Sequence, residues 1–513
     1  MARILNWRIT GYKLPDEYKN KVTKAIQEND IDTYKALVKQ VRGGQRAFKL
    51  WSLTFCTIKS IMISGDDYKK DRREIFEESL KICPEWLKEN LDDNLGGSPV
   101  AYLAAACQSS TPEARKLAAE YIDMMLDLGF DPCETAYNAC FPELVSVLVR
   151  HGVDLNRLDA YGRSPYFANL EKHWTQHDSV NWLDNLLKYA DPNLKISPTA
   201  LLGLLPGQEV PTLTAVCALM YTSSQLMADN TPEMHIKKLL EHGADPNAEI
   251  DVNYRRFVKG ITALHIAKKP GIAKVLLEAG ADPNKPDEQR YTPLLCAVMG
   301  TPSNPSMNQE TFEILLNAGA DPSAKNFFGD TLLHIAAKKG NIASVMPYLK
   351  DMIEAGLDVN AQNNSGKTCL HCLISGPGGA DICANLIRCG ADPNIQDNYG
   401  DTPLHTMYDS EMLKTCLSMG ADPNIRNKYG RTPLHEFFIR WGRDKDVMQG
   451  QLTEDILRIY SKYGADLQAK DNNDKTLVDY IPLKRIQNKI SALIRYLEDT
   501  LRYINEDIDI FAR

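Results

Sequence analysis

The sequence repeats itself, and nothing else in it restricts the fold so strongly. Gly-Ala-Asp-Pro-Asn begins at Gly243, Gly280, Gly390 and Gly420, with variants at Gly129, Gly152, Gly319, Gly356 and Gly464. A second motif, Gly-x-Thr-x-Leu-His, begins at Gly260, Gly329, Gly366, Gly400 and Gly430. The length of 513 residues alone suggests three or four domains, but a period of about 30 to 40 residues describes units that bury their apolar faces on one another, so a single core elongates instead. Each part of the motif has a physical reason. In Thr402-Pro403-Leu404-His405 the Thr caps a helix and the Pro fills its first turn, where a missing N–H costs nothing. An apolar second helix follows such a start, as in Ile272, Val275, Leu276 and Leu277. Gly280 then supplies the left-handed conformation that ends it, and Asp282 and Pro283 turn the chain outward.

This order of motifs resembles the ankyrin repeat family, strongly from about Gly243 to Asp471. The resemblance implies an all-α fold: an ankyrin-repeat solenoid of helix-turn-helix units with short β-hairpin loops. Weaker copies run toward the N-terminus, through GSPVAYLAAAC from Gly97, HGVDLN ending at Asn156, YGRSPYFANL from Tyr161 and VPTLTAVCALM from Val210. The expected organisation is a divergent helical N-terminal block or cap over 1–95, an array of about nine or ten units over 96–473 that is irregular before 240, and a C-terminal helical cap over 474–513. Within the first block, KAIQENDIDTYKALVKQ from Lys24 resembles a helix pair without its hairpin. In the last segment Ile486, Ile490, Leu493, Ile494, Leu497, Leu501 and Ile504 form one apolar stripe at helical spacing.

Charge narrows the partners. With 59 basic against 67 acidic residues the net charge is −8, which removes the long-range attraction to phosphate that nucleic-acid binding needs. No nucleic-acid partner is expected. The first 49 residues are locally basic, eleven Lys or Arg against five Asp or Glu, but these charges are dispersed and read as a solvated surface. Twelve scattered cysteines and a start without a secretory apolar segment point to reduced thiols in a cytoplasm. The most apolar stretch, Leu50 to Ile63, contains Lys59 and is shorter than the ~18 residues of a membrane span, so no transmembrane segment is expected.

Candidate chemistry is sparse. His265, His334, His371, His405 and His435 share one slot of the repeat, and the family resemblance implies a structural imidazole bonded to Thr and backbone there. Cys369, His371 and Cys372 lack a second ligand pair for zinc, and His173 and His177 lack the Glu of a zinc-protease motif and fall between helices. No nucleophile elbow, phosphate loop, dinucleotide fingerprint or kinase signature occurs, and most cysteines occupy positions suited to small buried side chains. No catalytic residue, metal or cofactor is assigned.

Binding is the better expectation. Tyr161, Phe328, Tyr399 and Tyr429 each directly precede a motif glycine and so occupy corresponding hairpin positions, where they serve either as partner contacts or as local packing. A longer hairpin, Ala248 to Lys259, adds Tyr254, Arg255, Arg256 and Phe257. Longer connections also occur at Thr301 to Gln309, Ser375 to Gly379 and Trp441 to Leu452. The expected function is a non-enzymatic scaffold that binds a partner protein through hairpin tips and a concave helix face, as ankyrin proteins mostly do. The alternative is an ankyrin-targeted enzyme, cysteine-protease-like or other, with its site in 1–95 or in the irregular region. The irregular array and the acidic end, with Glu498, Asp499, Glu506, Asp507 and Asp509, also resemble bacterial effectors delivered into the host cytosol, whose partner would be a host protein.

Overall fold

The structure is a computed structural model that describes residues 16–40, 73–81, 100, 112–130, 132, 142–159, 161–173, 184–197, 209–222, 231–250, 259–267, 269–299, 308–373, 378–441, 451–482 and 484–511. It comprises two compact units, Met1–Tyr254 and Arg255–Arg513.

The N-terminal unit begins as helices packed in chain order. Helix α1 (Asp16–Glu28) buries Val22, Ala25 and Ile26, and α2 (Ile31–Gln40) buries Tyr34 and Leu37 where the two meet. Asn29, at φ 56°, makes the left-handed bend between them, and Asp30 accepts the Thr33 backbone N–H at 2.9 Å to start α2. Helix α3 (Arg73–Lys81) packs on α2 and on α4 (Pro112–Asp127), with the rings of Phe76 and Tyr121 stacked 4.4 Å apart. Helix α5 (Pro142–Arg150) packs along α4 and buries Leu144, Val145, Val147 and Leu148. Helix α6 (Pro165–His173) starts as a repeat helix does, Ser164 Oγ accepting the Phe167 N–H at 3.2 Å, but Phe167 occupies the histidine slot. A two-residue antiparallel pair follows, β1 (Lys195–Ile196) with β2 (Val210–Pro211), then α7 (Thr212–Thr222) and α8 (Thr231–Glu241).

The C-terminal unit is more regular. Its short first helices are α9 (Ala263–Ile266), α11 (Pro293–Met299), α13 (Leu332–Lys339), the 3-10 turn Cys369–Cys372, α17 (Pro403–Thr406) and α19 (Pro433–Trp441). Their partners are α10 (Pro270–Glu278), α12 (Gln309–Asn317), α14 (Ile342–Val345) continuing through a 3-10 turn into α15 (Leu349–Glu354), α16 (Gly379–Arg388), α18 (Ser410–Ser418) and α20 (Gln451–Lys462). First helices pack on first helices and second on second, as α11 does on α13 and α16 on α18. Fully buried side chains such as Leu276, Leu294, Leu386 and Phe438 make this common core, each contributing about 1.5–3 kcal/mol. The second helices end where expected, with φ 88° at Gly280 and 101° at Gly420.

Among the described residues of this unit the projecting loops are tight turns, with no strand assigned in them. At 397–401, Asp397 N–H donates to the Asp401 carbonyl at 2.8 Å, and Gly400 N–H returns to the Asp397 carbonyl at 2.8 Å. The capping geometry recurs beyond residue 473: Thr476 caps the 3-10 turn Leu477–Tyr480, with Asp479 in the histidine slot. Helix α21 (Lys484–Phe511) then lays Ile486, Ile490, Ile494 and Leu497 down as buried residues and packs against that turn and α20. The side chains of Leu501 and Ile504 lie outside the described residues. Among the described residues no helix is long and apolar enough to cross a membrane.

Candidate partner-binding surface

What holds each repeat on the next fixes the surface it presents. The motif histidines do this first. At Thr402 the backbone N–H donates to His405 Nδ1 at 3.0 Å, and the Thr402 hydroxyl lies 2.9 Å from the same nitrogen. Nδ1 therefore accepts, and the ring carries its proton on Nε2, which donates to the Arg431 carbonyl of the following repeat at 3.1 Å. The same forward bond joins His265 to Tyr291, His334 to Lys367, His371 to Asp401 and His435 to Lys475, over 2.7 to 3.3 Å. Burial, the largest cause, holds the imidazoles of His334, His371, His405 and His435 below their ordinary value. These residues bridge repeats; their nitrogens are engaged. Among the described residues no three His, Cys, Asp or Glu side chains are placed to hold a metal ion. Cys369 lies buried with its sulfur 3.6 Å from the Val359 carbonyl, and His177 is outside the described residues.

A second set of bridges uses the Asn of Asp-Pro-Asn. Asn394 donates through Nδ2 to the Gly420 carbonyl at 2.9 Å and accepts the Asp422 N–H at 2.7 Å. Asn284, Asn360 and Asn424 repeat this toward Gly319, Gly390 and Gly464, and Asn193 does so toward Gly243 in the N-terminal unit. A third set is backbone alone: Asn364 N–H donates to the Phe328 carbonyl at 3.0 Å, Lys428 to Tyr399 at 2.9 Å and Asn472 to Tyr429 at 3.1 Å. A side chain at Gly400 would press on this contact, since its Cβ would meet Lys428 N at 2.9 Å.

The hairpin aromatics sit on these rungs. Their own N–H groups are also fixed by the residue two before: Asp397 accepts from Tyr399 at 2.8 Å, Asn427 from Tyr429 at 3.0 Å, Asn326 from Phe328 at 2.9 Å and Asp159 from Tyr161 at 2.9 Å. The backbone is pinned and the ring is left outside. Tyr399 is 58% exposed, Tyr429 51%, Phe328 57% and Tyr161 62%. The guanidinium of Arg431 lies over Tyr429 at 5.0 Å and that of Arg163 over Tyr161 at 4.9 Å, so two of the rings carry a cation on one face. Tyr161 belongs to the N-terminal unit and the other three to the C-terminal one. Phe327, 66% exposed and edge-on to Phe328 at 6.0 Å, adds a ring that the pattern of one aromatic before the glycine does not select. The doubled Phe in the sequence was the available signal. Tyr254, Arg255, Arg256 and Phe257 lie outside the described residues, as does most of each longer connection at 301–309, 375–379 and 441–452.

One junction lacks the side-chain bridges. The repeat of α11 and α12 has Leu295 in the histidine slot, Ser323 in the asparagine slot and Arg290 in the tip glycine slot, where φ is nevertheless 61°. Ser323 turns its hydroxyl back to Asp321 at 2.7 Å, and among the described residues no corresponding bond reaches Gly356. At this place α12 and α15 bound a cleft of about 490 Å³, lined by Leu316, Pro322, Tyr348 and Met352 among others.

Two family profiles agree with the repeat geometry. The family profile "Ankyrin repeats (3 copies)" matches residues 219–326 and 303–397, and the profile "Ankyrin repeat" matches 399–428. The chain is also similar to the solved ankyrin repeat domain of Bcl-3, titled a unique member of the IkappaB protein family, at 23% identity and a TM-score of 0.35, over 45% of this chain and 99% of that one. No curated protein matches the chain. The profiles identify residues 219–397 and 399–428 as ankyrin repeats, and the forward imidazole and amide bridges recur at one period through that stretch.

Proposed function

We propose that the chain is a binding scaffold that recognises a partner protein through its hairpin tips, chiefly Tyr399, Tyr429 and Phe328, with Tyr161 as a further contact, and through the adjoining helix faces. The observation that carries this reading is the combination of exposed rings with pinned backbone at Tyr399 and Tyr429. Little conformational freedom remains to be lost there on binding, and an exposed ring still has its apolar area to bury. Ankyrin repeats are generally protein–protein interaction modules. The finer proposal, that the partner is a host protein met by a bacterial effector, rests on the irregular array and acidic end of the sequence.

The test is affinity capture from a eukaryotic lysate with wild-type chain and a Tyr399→Ala/Tyr429→Ala variant side by side, followed by titration of the captured protein. The expected loss is about 1 kcal/mol or more of binding free energy with the thermal midpoint nearly unchanged. Equal binding by the variant would remove these tips from the proposed surface, and unfolding of the variant would make them packing residues.

A further inference from the structure

Two thiols meet inside the array. Cys383 on α16 and Cys416 on α18 are both fully buried, with their Sγ atoms 2.7 Å apart. Non-bonded carbon atoms settle about 3.5–4.0 Å apart, and sulfur is larger, whereas the sulfurs of a disulfide are about 2.05 Å apart. The pair is thus nearer to a bond than to ordinary packing. The two helices belong to consecutive repeats and lie side by side, and the two sulfurs already face one another across the packed pair. Met407 is the other sulfur at hand, its Sδ 3.6 Å from Cys416, and it cannot form such a bond.

We propose that Cys383 and Cys416 are a modification site: an intrachain disulfide, formed by a peroxide, that ties one repeat to the next. The Cys383 thiolate attacks one oxygen of hydrogen peroxide and breaks the O–O bond. Its sulfur becomes a sulfenic acid, and the departing hydroxide leaves as water with the proton the thiol has given up. The Cys416 thiolate then attacks that sulfur, the S–S bond forms, and the sulfenic hydroxide leaves as a second water with the proton from Cys416. Two thiols are oxidised and one peroxide is reduced to two waters. The contact is shared, since either thiol can donate across it, and the same two steps with the residues exchanged give the same product. Neither sulfur reaches solvent, so oxidation of the folded chain waits on a parting of the repeats, and oxidation during refolding does not.

The experiment uses the full chain, treated with hydrogen peroxide either when folded or during refolding. Remaining thiols are alkylated in denaturant and the chain is digested with trypsin. The expected product links peptide 368–388 to peptide 415–426, two hydrogens lighter than their sum, and is lost on reduction. Because 368–388 also contains Cys369 and Cys372, fragment ions must place the bond at Cys383. Both thiols alkylated after either treatment, or a bond placed at Cys369 or Cys372, would overturn the proposal. The wild-type chain alone decides the result; Cys416→Ser, if it folds, should abolish the linked product.

Discussion

Two junctions in the C-terminal unit share a backbone plan and differ in what their side chains add to it. Between the repeat of α16 and that of α18, Asn398 N–H bonds the Ser365 carbonyl at 3.0 Å, His371 reaches the Asp401 carbonyl at 2.9 Å, and Asn394 clasps Gly420 and Asp422. Between the repeat of α12 and that of α15 the backbone rung persists, Phe327 N–H to the Gln289 carbonyl at 2.8 Å, while Leu295 and Ser323 replace the bridging side chains. A different bond appears there, Asn341 Nδ2 to the Val298 carbonyl at 2.8 Å, and a cleft opens between the second helices. The difference separates two jobs. Backbone rungs and helix packing suffice to set the register of one repeat on the next, and the imidazole and amide add bridges that the second junction lacks.

The largest break in this comparison should come from His371→Ala. It leaves the Thr368 N–H and the Asp401 carbonyl short of a partner and opens a void, an expected loss of about 3 kcal/mol, read as a lower urea midpoint. A loss under about 1 kcal/mol would mean that the imidazole fills space without bridging. Next comes an exchange of the amide. Asn394→Ala should cost about 1–2 kcal/mol, and Ser323→Asn should return about 1 kcal/mol if only the missing amide keeps that junction apart. No gain from Ser323→Asn would assign the cleft to the kinked passage through α14 and α15 instead.

The smallest effect is that of pH, and it sharpens the same contrast. The motif imidazoles have folded-state values held below the unfolded one, which is about 6.5. The unfolded chain therefore binds protons first as pH falls. Stability is complete above the unfolded value and is lost as pH drops below it and through the folded values. After correction for the intrinsic exchange rate, hydrogen-exchange protection between pH 7.5 and 5.5 should fall around His334, His371, His405 and His435 before it does around Leu295, which has no imidazole to protonate. A uniform fall in protection would put the acid sensitivity elsewhere.

The motif residues were legible because each does its work within a few positions of itself: Thr402 with His405, Asp397 with Tyr399, Gly420 with the end of its own helix. Arg290 was not, since its left-handed φ of 61° is imposed on a residue that does not favour it. The turn around Arg290 is closed by Asp287 N–H to the Tyr291 carbonyl and Arg290 N–H to the Asp287 carbonyl, and the adjoining Glu288 N–H is bound by Lys259. A search for Gly-x-Thr-x-Leu-His passes over that repeat, which keeps only Thr292-Pro293-Leu294. The meeting of Cys383 with Cys416 was equally out of reach, because which two of twelve cysteines touch depends on how each second helix is rotated about its axis. The rings of the tips could be placed in register from the sequence, but the choice between packing and exposure turned on contacts with the following hairpin.

The forward-reaching side chains give the array a direction. Every motif histidine and Asp-Pro-Asn asparagine that bridges repeats belongs to the earlier repeat and finds its acceptor in the later one. During synthesis a newly made repeat holds imidazole and amide donors whose acceptors do not yet exist, and each is completed only when the next one emerges. Cutting the array from its C-terminal side strands the buried imidazole donors, whereas the donors freed by cutting from its N-terminal side, such as the backbone N–H of Lys428 and the Asn398 amide, lie in exposed loops that water can reach. Shortened forms should therefore tolerate loss of their first repeats better than loss of their last.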